Sequence, residues 1–281
     1  MAGELDRVRK AFRELGKSLQ SLPGDPAPKD VHKLRTAARR VEAIAVVLES
    51  THRKKARRLV ESIEPLRKAA GGVRDMDVLT ANTRTLARYG AHESLNHLVA
   101  HLETAREQNA GELQHVLHRR RKAVLEDLKE YSGLVQSALK RATLQHAKSA
   151  SRSSTETNQS QETIQTAAMN VVRELVDWKP LDAGSLHEFR LKLKHLRYTL
   201  QLDANADPGL VEALGRVQRS IGNWHDWQHL KEIAHQVLIL EQDQALLDRI
   251  DATVKRRLDR ALAAANALRG KYLATPLAMG V

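Results

Sequence analysis

The chain has 281 residues, with 46 Lys and Arg against 34 Asp and Glu, and no cysteine. A formal net charge of +12 asks for a polyanionic partner; the missing cysteine excludes disulfides, thiolate metal sites, Fe–S clusters and cysteine nucleophiles. No apolar run reaches the roughly 18 residues of a membrane span, and the first residues mix acid with base instead of building the apolar core of a secretion signal, so a cytoplasmic protein is expected.

Gly (14) and Pro (7) are scarce, while Ala, Leu, Arg, Glu and Gln are plentiful, and the composition reads all-α. In chain order, helices are expected over about 4–20, 30–50, 51–70 and 75–89. A long helix over about 91–146 should follow, broken near Gly133. The stretch from Leu22 to Pro28, LPGDPAP, is a loop. Pro65 should kink or end its helix, and Gly71-Gly72 and Gly90 should stop theirs. Residues 147–163, AKSASRSSTETNQSQET, hold almost nothing to bury and read as a linker. Beyond it, helices are expected over about 162–178, 185–203, 208–221, 225–239 and 241–270. Ser185 and Glu188 have the spacing of a capping box. Asp207-Pro208 reads as an N-cap followed by proline at the first helical position.

The charge is uneven. Residues 1–150 carry 29 Lys and Arg against 18 Asp and Glu, and residues 151–281 carry 17 against 16.

The two halves resemble each other. VHKLRTAARR from Val31 aligns with LHEFRLKLKH from Leu186, matching His32 with His187, Arg35 with Arg190 and Arg39 with Lys194. GGVRDMDVL from Gly71 aligns with GNWHDWQHL from Gly222, matching Gly71 with Gly222, Asp75 with Asp226 and Leu79 with Leu230. The same order at nearly equal offsets predicts two related helical bundles about a pseudo-two-fold axis.

On a helical wheel of about 100° per residue, His187, Arg190, Lys194 and Arg197 form a stripe about 80° wide. Leu186, Phe189, Leu193, Leu196 and Leu200 fall on the adjoining face. In the first copy His32, Arg35 and Arg39 make the basic stripe, with Arg40 on its flank, and Val31, Leu34, Ala38, Val41 and Ala45 make the apolar one. Like charges three and four residues apart cost roughly 0.2–0.5 kcal/mol per pair, and neither stripe holds an acid. One such helix would read as a solvated face. The same spacing in both halves reads as a site for an anion, with Arg giving forked bonds to phosphate oxygens, Lys a movable charge and His a donor that gains charge as pH falls.

These motifs, the matched Asp-containing turns and the duplicated helical layout resemble the CHAD domain, the conserved histidine α-helical domain. The resemblance covers about residues 3–272 as a single domain: a first helical half over 3–146, the linker over 147–163 and a second half over 164–272. It implies two helical bundles with a basic surface or cavity and non-catalytic binding of inorganic polyphosphate. It also implies an association with polyphosphate granules, with no cofactor. Carried over by position, the ligand-facing residues are His32, Arg35, Arg39 and Arg40 in one half and His187, Arg190, Lys194 and Arg197 in the other. His195 stands where the family usually has a second basic residue, so that contact is either pH-dependent or missing here.

RKKARR (Arg53 to Arg58), HRRRK (His118 to Lys122) and KRR (Lys255 to Arg257) read first as solvated helix faces. Their alternative is an extended phosphate track reached through Arg53, Arg57, Arg119 and Lys122. Asp75 and Asp226 read as N-caps, with a carboxylate steering a neighbouring Arg as the functional alternative. Trp224 and Trp227 read as core. The Glu-x-x-His pairs at Glu112/His115 and Glu232/His235 recur at about chance frequency and do not match across the repeat, so no metal site is expected. His225-Asp226 resembles a fragment of a metal phosphohydrolase site, but the repeat explains the Asp without one. No P-loop, G-x-S-x-G or Glu-x-Glu-x-Lys motif is present. A nucleic-acid or general polyanion binder on the same basic track is the competing function; so few aromatics argue against base stacking.

Overall fold

In the computed structural model of the chain, residues 2–47, 49–89, 92–149, 168–200 and 206–273 are described. Every regular element among them is helical. In order these are α1 (Ala2–Ser21), α2 (Pro28–Val47), α3 (Glu49–Arg84), a 3₁₀ turn (Ala87–Tyr89), α4 (His92–Ser149), α5 (168–176), α6 (Leu186–Leu200), α7 (Pro208–Val237), α8 (Leu240–Leu268) and a π-helical turn (Arg269–Leu273). Two compact units result. One is Met1–Arg84 with Val99–Ser153, and the other is Thr85–Leu98 with Ser154–Val281.

In the first unit the apolar stripes of α1 to α4 meet in one core. Phe12, Leu15 and Leu19 of α1, Val31, Leu34 and Val41 of α2, Leu59, Ile63 and Leu66 of α3, and Leu113, Leu117 and Tyr131 of α4 are all buried there. The whole apolar face read from the wheel for α2 is inside, from Val31 to Ala45. At about 1.5–3 kcal/mol per buried aliphatic side chain, this face outweighs the like-charge repulsion on the other side of the helix. In the second unit the corresponding face of α6, Leu186, Phe189, Leu193, Leu196 and Leu200, is equally buried. Trp178 meets Phe189 edge-on at 5.7 Å between ring centres. Trp224 and Trp227 are core residues, as expected.

Several local breaking signals are overridden. Pro65 lies inside α3 without ending it. A mid-helix proline costs about 3 kcal/mol, and the buried Ile63, Leu66 and Ala70 around it supply more than that. Gly71-Gly72 does not stop α3, nor does Gly133 break α4 or Gly222 divide α7. The expected separate helices over 51–70 and 75–89 are therefore one, as are those over 208–221 and 225–239. Gly72 is there for close approach: a Cβ would sit 2.5 Å from Asn109 Oδ1 on α4. The backbone departs from helical geometry only at His52 within α3 (φ −146°, ψ 53°). Gly90 and residues 150–163 of the expected linker lie outside the described residues, while 147–149 are the last turn of α4.

The cap of α6 also differs from expectation. Ser185 bonds back to Asp182, not forward to Glu188. The Asp182 carboxylate accepts from Ser185 N at 2.8 Å, and Ser185 Oγ accepts from Asp182 N at 2.9 Å. These bonds hold the Asp182 carboxyl below the ordinary carboxylate range. The box is intact but begins three residues earlier. Asp207 caps α7 as expected, accepting from Gly209 N at 2.8 Å.

Residues 22–27 position α2. Arg106 of α4 donates to Pro26 O at 2.6 Å and to buried Asp77 Oδ1 at 2.7 Å, and lies 3.6 Å from Asp25. Gln114 donates to Pro23 O at 2.8 Å. The loop that launches the first histidine helix is thereby tied down.

Candidate anion site on the histidine helices

In the first unit α2 sets His32 and Arg35 against α3, and Arg39, one turn after Arg35, is half-buried. Arg35 is half-buried and lies across Gly71, where a Cβ would stand 3.7 Å from its Nε. Its Nη2 is 3.9 Å from Asp75 Oδ1. Asp75 is thus in the interior of α3 and not an N-cap; it steers an arginine. At that distance and with both side chains partly exposed, the pair contributes about 0–1 kcal/mol.

His32 is exposed and stands beside Arg74 of α3 and Arg35. Partial burial first, then these two cations, push its imidazole below the ordinary histidine value. The wheel could not find Arg74, because it lies on another helix. The aligned blocks did place it opposite His225, and that was the available signal.

In the second unit His187 meets the same aligned position. Its ring lies 5.7 Å from that of His225, tilted by 40°. Arg190 lies against Gly222, where a Cβ would stand 3.1 Å from Nη2. Its Nε points at Gln218 O, 3.4 Å away. Arg197 lies against Gly215, with Cζ 3.3 Å from the Cβ position, and donates to Gln218 Oε1 at 3.1 Å. Gln218 therefore serves two arginines of the stripe through different oxygens, a role the sequence gave no sign of. Arg197 and exposed Arg219 also line a cavity of about 390 Å³ floored by Gly215 and Val211. Lys194 is half-buried on the same face of α6. Asp226, like Asp75, is helix interior, here of α7.

The remaining candidates are placed apart. Arg40 turns to α1 and pairs with Glu14 at 2.8 Å. His195 is exposed. Arg57 pairs with Glu61 within α3 at 2.8 Å. Arg53 and Arg119 are exposed, and exposed Lys122 lines a different groove on α4. His235 faces Asp251 at 3.2 Å. Among the described residues no three His, Cys, Asp or Glu side chains gather as a metal ion requires, and no helix is long and apolar enough to cross a membrane.

In each unit, then, a histidine-helix arginine rests on a glycine of the neighbouring helix, and a histidine faces a second basic or imidazole group. The CHAD domain family matches residues 6–235. This chain belongs to that family. A solved structure described as the crystal structure of the CHAD domain from the plant Ricinus communis shares the fold, with TM-score 0.64 and 17% identity over 94% of this chain and 88% of that one. No curated protein matches the chain.

Proposed function

We propose that this CHAD domain binds inorganic polyphosphate without turning it over, using the basic faces of α2 and α6. The observation that carries this reading is the seating of Arg35 on Gly71 and of Arg190 on Gly222. Each guanidinium lies over a glycine of the neighbouring helix, tightly at Gly222 and at ordinary contact distance at Gly71, beside a histidine, on a face built at a cost in repulsion. Such a pre-positioned row suits a ligand that repeats one charged acceptor, as a phosphate chain does. His32, Arg35, Arg39 and Arg74 would serve it in one unit, and His187, Arg190, Lys194 and Arg197 in the other. Retention at polyphosphate granules would follow from the same binding.

The test is binding of fluorescent long-chain polyphosphate at about 150 mM salt, where exposed charges are screened beyond about 8 Å, with duplex DNA and RNA as competitors and free phosphate assayed. Tight binding, resistance to nucleic acid and no phosphate release are expected. The double variant Arg190→Glu/Lys194→Glu should weaken binding markedly with its helical circular dichroism unchanged. Displacement by DNA or RNA would make the protein a general polyanion binder, and steady phosphate release would make it a hydrolase. Unchanged affinity in the double variant would remove α6 from the site.

A further inference from the structure

The first unit carries a second cationic surface that the histidine helices do not use. Its helices bring α1 beside α2, α2 beside α3 and α3 beside α4, and α4 also borders α1. The Arg35–Gly71 seat lies on the α2/α3 seam. The α1/α4 seam lies across the bundle from it. On that seam lies a cavity of about 420 Å³, and adjoining it, sharing Leu125 and Lys129, is one of about 550 Å³ whose lining among the described residues comes from α4.

The larger cavity is lined by His118, Arg121, Lys122 and Lys129, with Glu126 as its acid. The smaller adds Arg9 and Arg13 from α1. From Gln114 to Gln136 this face of α4 rises roughly 33 Å. Arg121 Nε is buried there without a hydrogen-bond partner among the described residues. A buried guanidinium N–H asks for an acceptor.

The chemistry of the lining selects the occupant. Phe12 and Leu128 are already buried in the core, and Leu125 alone shows partly in the groove. The polar groups of the lining are cations with the amide and hydroxyl groups of Gln20, Ser132 and Gln136, and Glu126 is the one acid among the described lining residues, which suits a ligand made of acceptors. We infer that the α1/α4 groove is a second phosphate-chain site, independent of the histidine helices. The identity of the anion rests on the polyphosphate reading above; the groove itself does not. One molecule would then engage two chains, or two stretches of one chain, at once.

Because the chain has no cysteine, Gln136→Cys at the groove edge can carry a single environment-sensitive dye. Long-chain polyphosphate should change its emission, and should still do so in the Arg190→Glu/Lys194→Glu background. The triple variant Arg121→Gln/Lys122→Gln/Lys129→Gln should abolish the response. Should the triple variant lose its fold, Lys129→Gln alone should lower the slope of log affinity against log salt at the groove by about one. An unchanged response in these variants, or a response to a poly-glutamate peptide and not to polyphosphate, overturns the second site and leaves the first untouched. If the groove responds but binding at α6 survives its double variant, the histidine-helix reading fails and the groove stands.

Discussion

Arg190 lies against Gly222 so closely that a methyl group there would stand 3.1 Å from Nη2, whereas the aligned Arg35 leaves 3.7 Å above Gly71. Three helical glycines thus divide by their neighbours. At Gly71 the gap is an ordinary van der Waals distance. Gly71→Ala should raise stability by about 0.5–1 kcal/mol through helix propensity, with polyphosphate affinity unchanged. Next to it, Gly72→Ala drives a methyl group into Asn109 and should lower stability by about 1–3 kcal/mol. Gly222→Ala should be stable but bind polyphosphate less tightly, because the Arg190 fork must move. Thermal melts and binding curves on the three variants check all of this; equal melting temperatures for Gly71→Ala and Gly72→Ala would refute the packing argument.

The imidazole of His32 gives a pH signature. Its folded pKa lies below the ordinary value because of partial burial and then of Arg74 and Arg35. Below about pH 6.5 the unfolded chain takes up a proton that the folded chain still refuses. Stability should therefore fall as pH drops through the window between that value and the lower folded pKa. A phosphate chain bound at the proposed site would offset the neighbouring cations and raise the pKa again. Binding should take up protons in this window, with affinity rising as pH falls below about 6.5, lower than the pH 8 to 6 range an unperturbed histidine gives. Calorimetry in two buffers of different ionisation heat measures the uptake. His32→Gln should remove it, and equal heats for the original chain would leave His32 a neutral donor.

Arg40 and Arg35 should separate cleanly. Arg40 is exposed and held by Glu14 of α1, so Arg40→Ala should cost at most about 1 kcal/mol in stability and change affinity by less than about twofold. In the proposed site Arg35→Ala would remove a charge-assisted bond to the phosphate chain, about 1.5–3 kcal/mol, and should weaken binding about tenfold or more. Equal losses would return Arg40 to the site.

The loop that starts α2 depends on Arg106. Asp77 is buried and Arg106 largely so. Removing one partner of a fully buried pair costs about 3–5 kcal/mol; with Arg106 still partly wet, Asp77→Ala should cost about 2–3 kcal/mol. Binding should weaken as well, since Pro26, and through it the start of the His32 helix, is held by the same guanidinium. Chemical denaturation gives the first figure and polyphosphate titration the second. A variant as stable as its parent would show that the loop is held otherwise.

Much of this was legible in one dimension. A helix that buries one face and wets another writes its period into the sequence, and all ten apolar positions read for α2 and α6 are inside. Asp207-Pro208 was equally clear, because a cap is made by adjacent residues. Gly71, Gly72 and Gly222 misled for the opposite reason. A stop and a close-approach site look alike locally, and only Asn109 or Arg190 on another helix distinguishes them. Asp75 was assigned to capping on the same local logic. Glu14 lies too far along the chain from Arg40 for any periodicity to join them. The box at α6 was shifted by one turn because Ser185 has an acid three residues away on either side, and spacing does not choose between them.

The division of α4 bears on how the chain can be cut. The Ser- and Thr-rich stretch after it looks like the natural place to separate the halves. Yet Thr85–Leu98, which supplies buried Leu86, Leu95 and Leu98, belongs to the compact unit otherwise formed from Ser154 onward. A fragment that starts beyond that stretch leaves part of its interior behind. The later half should be obtainable as a soluble piece only when 85–98 is provided with it, as a fused segment or a separate peptide. The folded parts of this CHAD domain do not divide where the Ser- and Thr-rich stretch does.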